Sequence, residues 1–304
     1  MTKHMNRTLL ALSVALLLGC GEQPKNRCKV APGVGIAKYT RKGDPTGSCM
    51  GVSLPVKGEP VGMNAFVPNP KLDTAPDTPT SLAIKPGWLG DRISRARDLA
   101  TQDPMLEPMK DLLLNYPYGA EAAPKPTDLK TTKRPYAFGK FEAVFPDDRG
   151  VCEAGDLNES DLVYPAIPAH KYPDPEDPAK MIDGPAEPEM AVKYEWKNVR
   201  TVQIASSPGT QTFGDLTITR DGCSATYGVA ILVPMVGCGV EKDGAMVANK
   251  KLCDPSPNDE SLFGSGISQG VPTKCEDISS DPMNPDQPDP MAPNFVCVPT
   301  KTKP

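Results

Sequence analysis

The sequence predicts an α+β chain dominated by antiparallel strands, and three observations carry that prediction. Asp221-Gly222 separates two runs, Asp215–Arg220 and Cys223–Val233, and Asp-Gly between alternating apolar positions marks a two-residue type I′ hairpin, whose central residues need positive φ. A 3.6-residue apolar period occurs in one region, near residues 91–115, which predicts a short helical pair. Eight widely spaced cysteines follow residue 27, in a chain with 38% hydrophobic and 6% aromatic residues. That pattern predicts long loops stapled by disulfides.

The N-terminal residues read as an address rather than as part of the fold. Lys3 and Arg7 precede an apolar run, Leu9–Leu18, too short to span a bilayer as a permanent helix. The run ends in Leu17-Leu18-Gly19-Cys20, which resembles the lipobox of bacterial lipoproteins. The resemblance implies that residues 1–19 are a signal peptide cut before Cys20, that the Cys20 thiol is joined to diacylglycerol, and that the new amino group is acylated, palmitate being the typical chain. It implies a cell-envelope location, held by lipid on Cys20, and Gly21 in place of aspartate favours the outer membrane. Several acyl chains anchor far more firmly than one. Residues 20–27 then form a polar tether, and 28–304 one disulfide-stabilised domain.

Along that domain, residues 28–79 are rich in Gly, Pro, Thr and Asp and read as loops with short strands. Asp91 is placed to cap a helix presenting Ile93, Ala96 and Ala100. Asp103-Pro104 looks like a second cap with proline at the first helical position. Leu106, Met109, Leu112 and Leu113 form the next stripe, Pro108 delaying regular helix. Tyr136, Phe138, Phe141 and Phe145 suggest a strand. Residues 165–190, rich in proline and carboxylates, are expected as a surface excursion that buries too little to order itself. Val192, Tyr194 and Trp196 alternate with charged residues and begin a strand, and Ser207-Pro208-Gly209-Thr210 reads as a turn. The hairpin register follows from its turn: Leu216 opposite Tyr227 and Ile218 opposite Ala225 on a core face that Val229, Ile231 and Val233 extend, with Thr217–Thr226 and Thr219–Ser224 on a hydroxylated face. After Pro234 the tail is predicted to wrap the sheet as disulfide-held loop.

The eight cysteines are Cys28, Cys49, Cys152, Cys223, Cys238, Cys253, Cys275 and Cys297. In an exported chain an even number predicts four disulfides, with 105 pairings open. Cys28–Cys49 would close a local loop, and the last four would staple the tail. Metal ligation is not expected, because the sulfur ligands of zinc or iron–sulfur sites usually stand two to four residues apart. Asp281, Asn284, Asp286 and Asp289 offer oxygen atoms but lack the Gly-centred loop and distal Glu of a calcium-binding EF-hand. No cofactor is expected.

Composition narrows function without fixing it. Residues 1–19 hold two basic groups and no acidic one, so their loss moves the net charge from −5 to −7. That balance, with no basic cluster, argues against nucleic acid. One histidine, His170, follows residue 19; it sits in the excursion, is expected to be exposed, and precludes histidine-rich catalytic or metal centres. No catalytic residue is assigned. The favoured reading is a noncatalytic lipoprotein that meets an envelope protein, a polymer or a small ligand. The alternative is a carboxylate-dependent hydrolase of polysaccharide, for which Asp147-Asp148, Glu153 with Asp156, and Glu159 with Asp161 supply carboxylates, and Trp88 or Trp196 a sugar-stacking wall.

Overall fold

The computed structural model describes residues 26–55, 57–66, 78–117, 134–174, 177, 179–204, 207–243, 245–261, 264–278 and 295–300. Its main sheet grows from the predicted hairpin. β11 (Ser207–Arg220) and β12 (Cys223–Leu232) pair as expected, Leu216 with Tyr227, Ile218 with Ala225, Thr217 with Thr226 and Thr219 with Ser224. Asp221 and Gly222 have φ of 47° and 83°, the geometry a type I′ turn requires. Across the other face, the Thr217 and Thr226 hydroxyls lie 3.1 Å apart and those of Thr219 and Ser224 2.7 Å apart.

β10 (Met190–Ile204) pairs with β11, burying Val192, Tyr194 and Trp196. The expected turn at 207–210 is instead the beginning of β11, since pairing continues to Ile204 with Ser207. On the opposite flank β12 pairs with β1 (Gly33–Arg41), β1 with β3 (Gly58–Phe66), β3 with β4 (Ser81–Pro86), and β4 with β5 (Ala137–Lys140). Among the described residues of 28–79, the strands β1 and β3 are nine residues each, longer than the short strands expected there. Their strands were masked in the sequence because Gly35 and Pro60 interrupt the alternation, yet Gly35 is where the chain passes tightly over Leu232: a Cβ there would lie 2.7 Å from its carbonyl oxygen. The short β2 (Thr46–Gly47) pairs with the start of β12.

The far edge carries β6 (Val151–Gly155) and β7 (Ser160–Tyr164), both paired with β10. This edge meets β5. Asn158 N–H donates to the Phe138 carbonyl at 2.7 Å, Glu142 N–H to Glu153 at 2.8 Å, and Asp161 N–H to Arg134 at 2.9 Å. The sheet thus curls until its two ends bond, forming a closed barrel around one core. Tyr39, Val61, Ile84, Trp196, Tyr227 and Ile231 belong to that core. The aromatic run predicted as a strand ends at Lys140, with Phe141 buried just beyond it and Phe145 exposed.

Helix α1 (Gly87–Gln102) leaves β4 directly and packs Leu89, Ile93, Ala96 and Ala100 into the core. It starts four residues before the predicted cap Asp91. Asp103 does cap the next element, accepting Met105 N–H at 2.7 Å, with Pro104 at its first position. That segment is 3-10 from Pro104–Met109, and α2 (Lys110–Leu114) follows Pro108 as expected. Leu106 and Leu113 are buried, whereas Leu112 faces outward.

The described part of the excursion at 165–190 forms a paired hairpin, with Ile167, His170 and Gly184 buried and most other residues at the surface. β8 (His170–Pro173) and β9 (Met181–Gly184) pair, and Ile167 exchanges backbone hydrogen bonds with Glu187 at 2.9 and 2.8 Å. Asp103 ties this hairpin to the helices by accepting Lys171 N–H at 3.0 Å. His170, expected to be exposed, is 2% exposed. Its ring lies against Gly184, where a Cβ would come within 2.4 Å of Nε2. A few inward side chains suffice, because backbone pairing supplies the rest.

The C-terminal region has its own core. β13 (Gly239–Lys242) pairs with β14 (Ala245–Ala248), and β15 (Thr273–Asp277) with β16 (Phe295–Pro299). Val296, Val298, Ile267 and Val271 pack with Ile36 and Leu232, which project from the outer side of β1 and β12. The sheet is thus covered on both sides at this end, so its hydroxylated face extends only over the turn half of the hairpin.

Candidate functional site

β3 brings one carboxylate into the core. Glu59 is in phase with Val61 and Met63, so its side chain points inward and is 3% exposed. Tyr39 Oη donates to Oε1 at 2.7 Å, Trp88 N–H donates to Oε2 at 3.0 Å, and the Tyr194 hydroxyl also bonds the carboxyl. Glu59 therefore serves as the N-terminal acceptor of α1, which has no capping side chain of its own. The helix start must come very near β3; a Cβ on Gly87 would sit 2.6 Å from the Pro60 carbonyl oxygen. Burial raises the Glu59 carboxyl above its ordinary value, outweighing these hydrogen bonds, and drives Tyr39 and Tyr194 well above theirs. A buried, fully engaged carboxyl of this kind seals the helix–barrel junction. Sequence reasoning missed it, although its phase with Val61 and Met63 was the available signal.

One turn further along α1 lies a pocket. Trp88, Leu89, Arg92, Tyr116, Leu162, Tyr164, Met190 and Val192 line it and close together so far that no water molecule fits inside. Arg92 lies over the rings of Trp88 and Tyr164, 5.2 and 5.7 Å from their centres, and Tyr116 meets Tyr164 edge-on at 5.8 Å. Glu187 engages both Arg92, at 3.5 Å, and Arg95, whose Nε donates to it at 2.9 Å. Trp88 Nε1 and the Tyr116 hydroxyl are buried without a hydrogen-bond partner among the described residues, while the Tyr164 hydroxyl lies beside Arg95. Each such orphan costs about 1 to 3 kcal/mol. Burial holds both phenols above their usual range.

The sequence-predicted sites distribute as follows. Cys20, and the oxygen set Asp281, Asn284, Asp286 and Asp289, lie outside the described residues. The bonds are Cys28–Cys152, Cys49–Cys223, Cys238–Cys275 and Cys253–Cys297. The local Cys28–Cys49 loop does not form, because barrel closure brings Cys28 beside β6 and β2 brings Cys49 beside the hairpin turn. The Sγ atoms of Cys238, Cys253 and Cys297 lie within 4.8 Å of one another, but each is committed to a disulfide and offers no thiolate. One member of each proposed carboxylate pair has a partner of its own. Asp147 accepts Arg149 and Val151 N–H at 2.9 and 2.8 Å, which lowers its pKa, while Asp156 accepts Asn198 N–H and Glu159 faces Lys193. Trp196 is 1% exposed, and no carboxylate lines the pocket beside Trp88. Among the described residues no helix is long and apolar enough to cross a membrane.

A family model described as MlpA matches residues 35–234, from β1 to just past β12. A Myxococcus xanthus protein named "Putative lipoprotein MlpA" is 29% identical over 89 residues, covering 29% of this chain and 33% of that protein. The aligned part thus spans one third of the relative's length. No solved structure matches.

Proposed function

Since the chain belongs to the MlpA family, we propose that it is a lipid-anchored lipoprotein of the bacterial cell envelope that binds or supports a partner and carries out no catalysis. The observation that carries this reading is Leu17-Leu18-Gly19-Cys20 at the end of the apolar run, in a chain similar to a protein named as a lipoprotein. Residues 1–19 are removed, Cys20 is acylated, residues 20–27 span from lipid to fold, and 28–304 form one domain. Gly21 directs the product to the outer membrane. An envelope protein, a polymer or a small ligand is the partner.

A noncatalytic role is supported by what the described residues do with their acids and histidine. Glu59 caps a helix, Asp147 closes a turn, His170 packs a hairpin, and no pair of carboxylates faces across the pocket. The polysaccharide-hydrolase alternative has no observation in its favour. Intact-mass measurement of the membrane fraction tests the proposal: the chain should begin at Cys20 and carry acyl mass, and Cys20→Ala should release it from the membrane. A product that retains residues before Cys20 and lacks lipid overturns it.

A further inference from the structure

The chain enters the barrel at one rim, and an apolar loop tip stands beside the point of entry. Cys28 N–H donates to the Val144 carbonyl at 2.8 Å, Gln203 Nε2 donates to the Lys29 carbonyl, and Ala31 N–H donates to Gly209 at 2.8 Å. β10 ends and β11 begins at this same rim, where Ile204 pairs with Ser207. Between β5 and β6 the loop reaches it as Ala143-Val144-Phe145-Pro146. Ala143 is exposed, Val144 and Pro146 are half-buried, and Phe145 is 44% exposed. Hydrogen bonds hold the tip in place. Just behind it Asp147 N–H donates to the Val151 carbonyl at 2.9 Å, while the Asp147 carboxylate accepts Arg149 and Val151 N–H. Val34 near the start of β1 and Phe66 at the end of β3 are exposed at this end of the sheet as well.

Cys28 follows Cys20 by eight residues, so even at full extension the lipid lies within about 28 Å of this rim. β11, with fourteen residues and so roughly 45 Å of strand, runs from the rim to the Asp221-Gly222 turn. We propose that the 143–146 tip docks on the bilayer that holds Cys20, with Phe145 entering the headgroup boundary, so that the barrel stands on this rim and the Asp221-Gly222 turn points away from the membrane. The proposal rests on the acylation proposed above. Apolar groups of surface-bound proteins enter only the boundary between headgroups and acyl chains, a depth that one ring and its neighbours reach. Once the anchor is seated the contact is intramolecular, so a weak one is enough to set the orientation. Charges beside the tip are mixed, Glu142, Asp147 and Asp148 with Lys29 and Arg149, which favours apolar insertion over attraction to anionic headgroups.

The test places the acylated chain in phosphatidylcholine vesicles with a tryptophan at one end or the other. Phe145→Trp marks the rim. Met50→Trp marks the opposite end, since Met50 is fully exposed and Ser48 N–H donates to Gly222 in the hairpin turn. Trp88 and Trp196 are buried and common to both variants. Brominated phosphatidylcholine should quench the Phe145→Trp emission about twofold, as insertion to the headgroup boundary allows, and leave Met50→Trp at the level of the parent. In the chain without either substitution, amide exchange at 143–145 should slow about threefold on vesicles relative to Cys20→Ala in solution. Equal quenching at the two positions, no quenching at 145, or unchanged exchange overturns the proposal. A blue shift of Phe145→Trp without quenching also overturns it, because a second copy of the chain then covers the tip. Vesicle flotation and intact mass separate the two readings: a chain that is acylated and floats but is not quenched at 145 defeats the docking alone, whereas a chain that lacks lipid and stays in solution defeats the anchor and the docking together.

Discussion

The barrel and the C-terminal region rest on different kinds of stabilisation. The barrel core contains Trp196, Tyr194, Tyr227, Leu82, Ile84 and many more buried side chains drawn from strands and α1. The C-terminal cluster is small and includes Cys238, Cys253 and Cys297 themselves. Large apolar side chains contribute roughly 1.5 to 3 kcal/mol each when fully buried, so the barrel can hold its shape by packing, whereas a few valines and isoleucines are a thin core for the two hairpins of the C-terminal region. Covalent links make up the difference, as they do in small secreted domains. The lesson is that disulfides matter most where burial is thinnest, and two of the four fall within this one region.

The sharpest test of that contrast is to remove Cys253–Cys297. It closes 44 residues, for which loop-closure entropy gives about 4 kcal/mol. The double replacement Cys253→Ser, Cys297→Ser should abolish amide-exchange protection in β15 and β16 while β10–β12 remain protected. Loss of protection in both regions together would show that they fold as one unit.

Next in size are core truncations on the two faces of β12. Ile231 faces the barrel interior and Leu232 the C-terminal cluster. Each should destabilise by about 2 to 5 kcal/mol when changed to Ala, but only Leu232→Ala should expose β16 to exchange at the same time. Urea unfolding combined with amide exchange separates the two. If both variants open β16 equally, the faces are not independent.

The smallest effect concerns pH within the barrel alone. The folded state raises the Glu59 pKa, so its protonated form favours the fold. That stability is present in full below the unfolded carboxyl value and is lost as pH rises through the raised folded value. Glu59→Gln should therefore be less stable than the parent at acid pH by about 1 kcal/mol, one hydrogen bond being imperfectly replaced, and the gap should narrow toward neutrality. A gap that widens as pH rises would mean that the carboxylate, with its three donors, is the favoured form.

Local chemistry was legible in the sequence and closure was not. The Asp221-Gly222 turn fixes its own register, Asp103-Pro104 its own cap, and the spacing of Ile93, Ala96 and Ala100 its own buried face, because each signal is contained within a few residues. The bonds that shut the barrel join Phe138 to Asn158 and Glu142 to Glu153, and nothing near any of these residues announces the other. Disulfide pairing failed for the same reason, since Cys28 and Cys49 each find partners more than one hundred residues away. The pocket was hidden too: Trp88, Tyr116, Tyr164 and Glu187 come from separate elements, and the hairpin that supplies Glu187 looked too polar to pack.

The position of Cys28 also bears on mechanics. A pull on the N-terminal end of the chain reaches Cys28 before it reaches β1, and there the load divides. Part goes through the bond to Cys152 into β6, and the Cys28 N–H is itself held by the Val144 carbonyl. Without that crosslink, tension would peel β1 from β12 and β3 at one end, opening hydrogen bonds one after another like a zipper. With it, force enters the barrel at two strands on opposite flanks of the sheet, and the hydrogen bonds along β1 are shielded from sequential rupture.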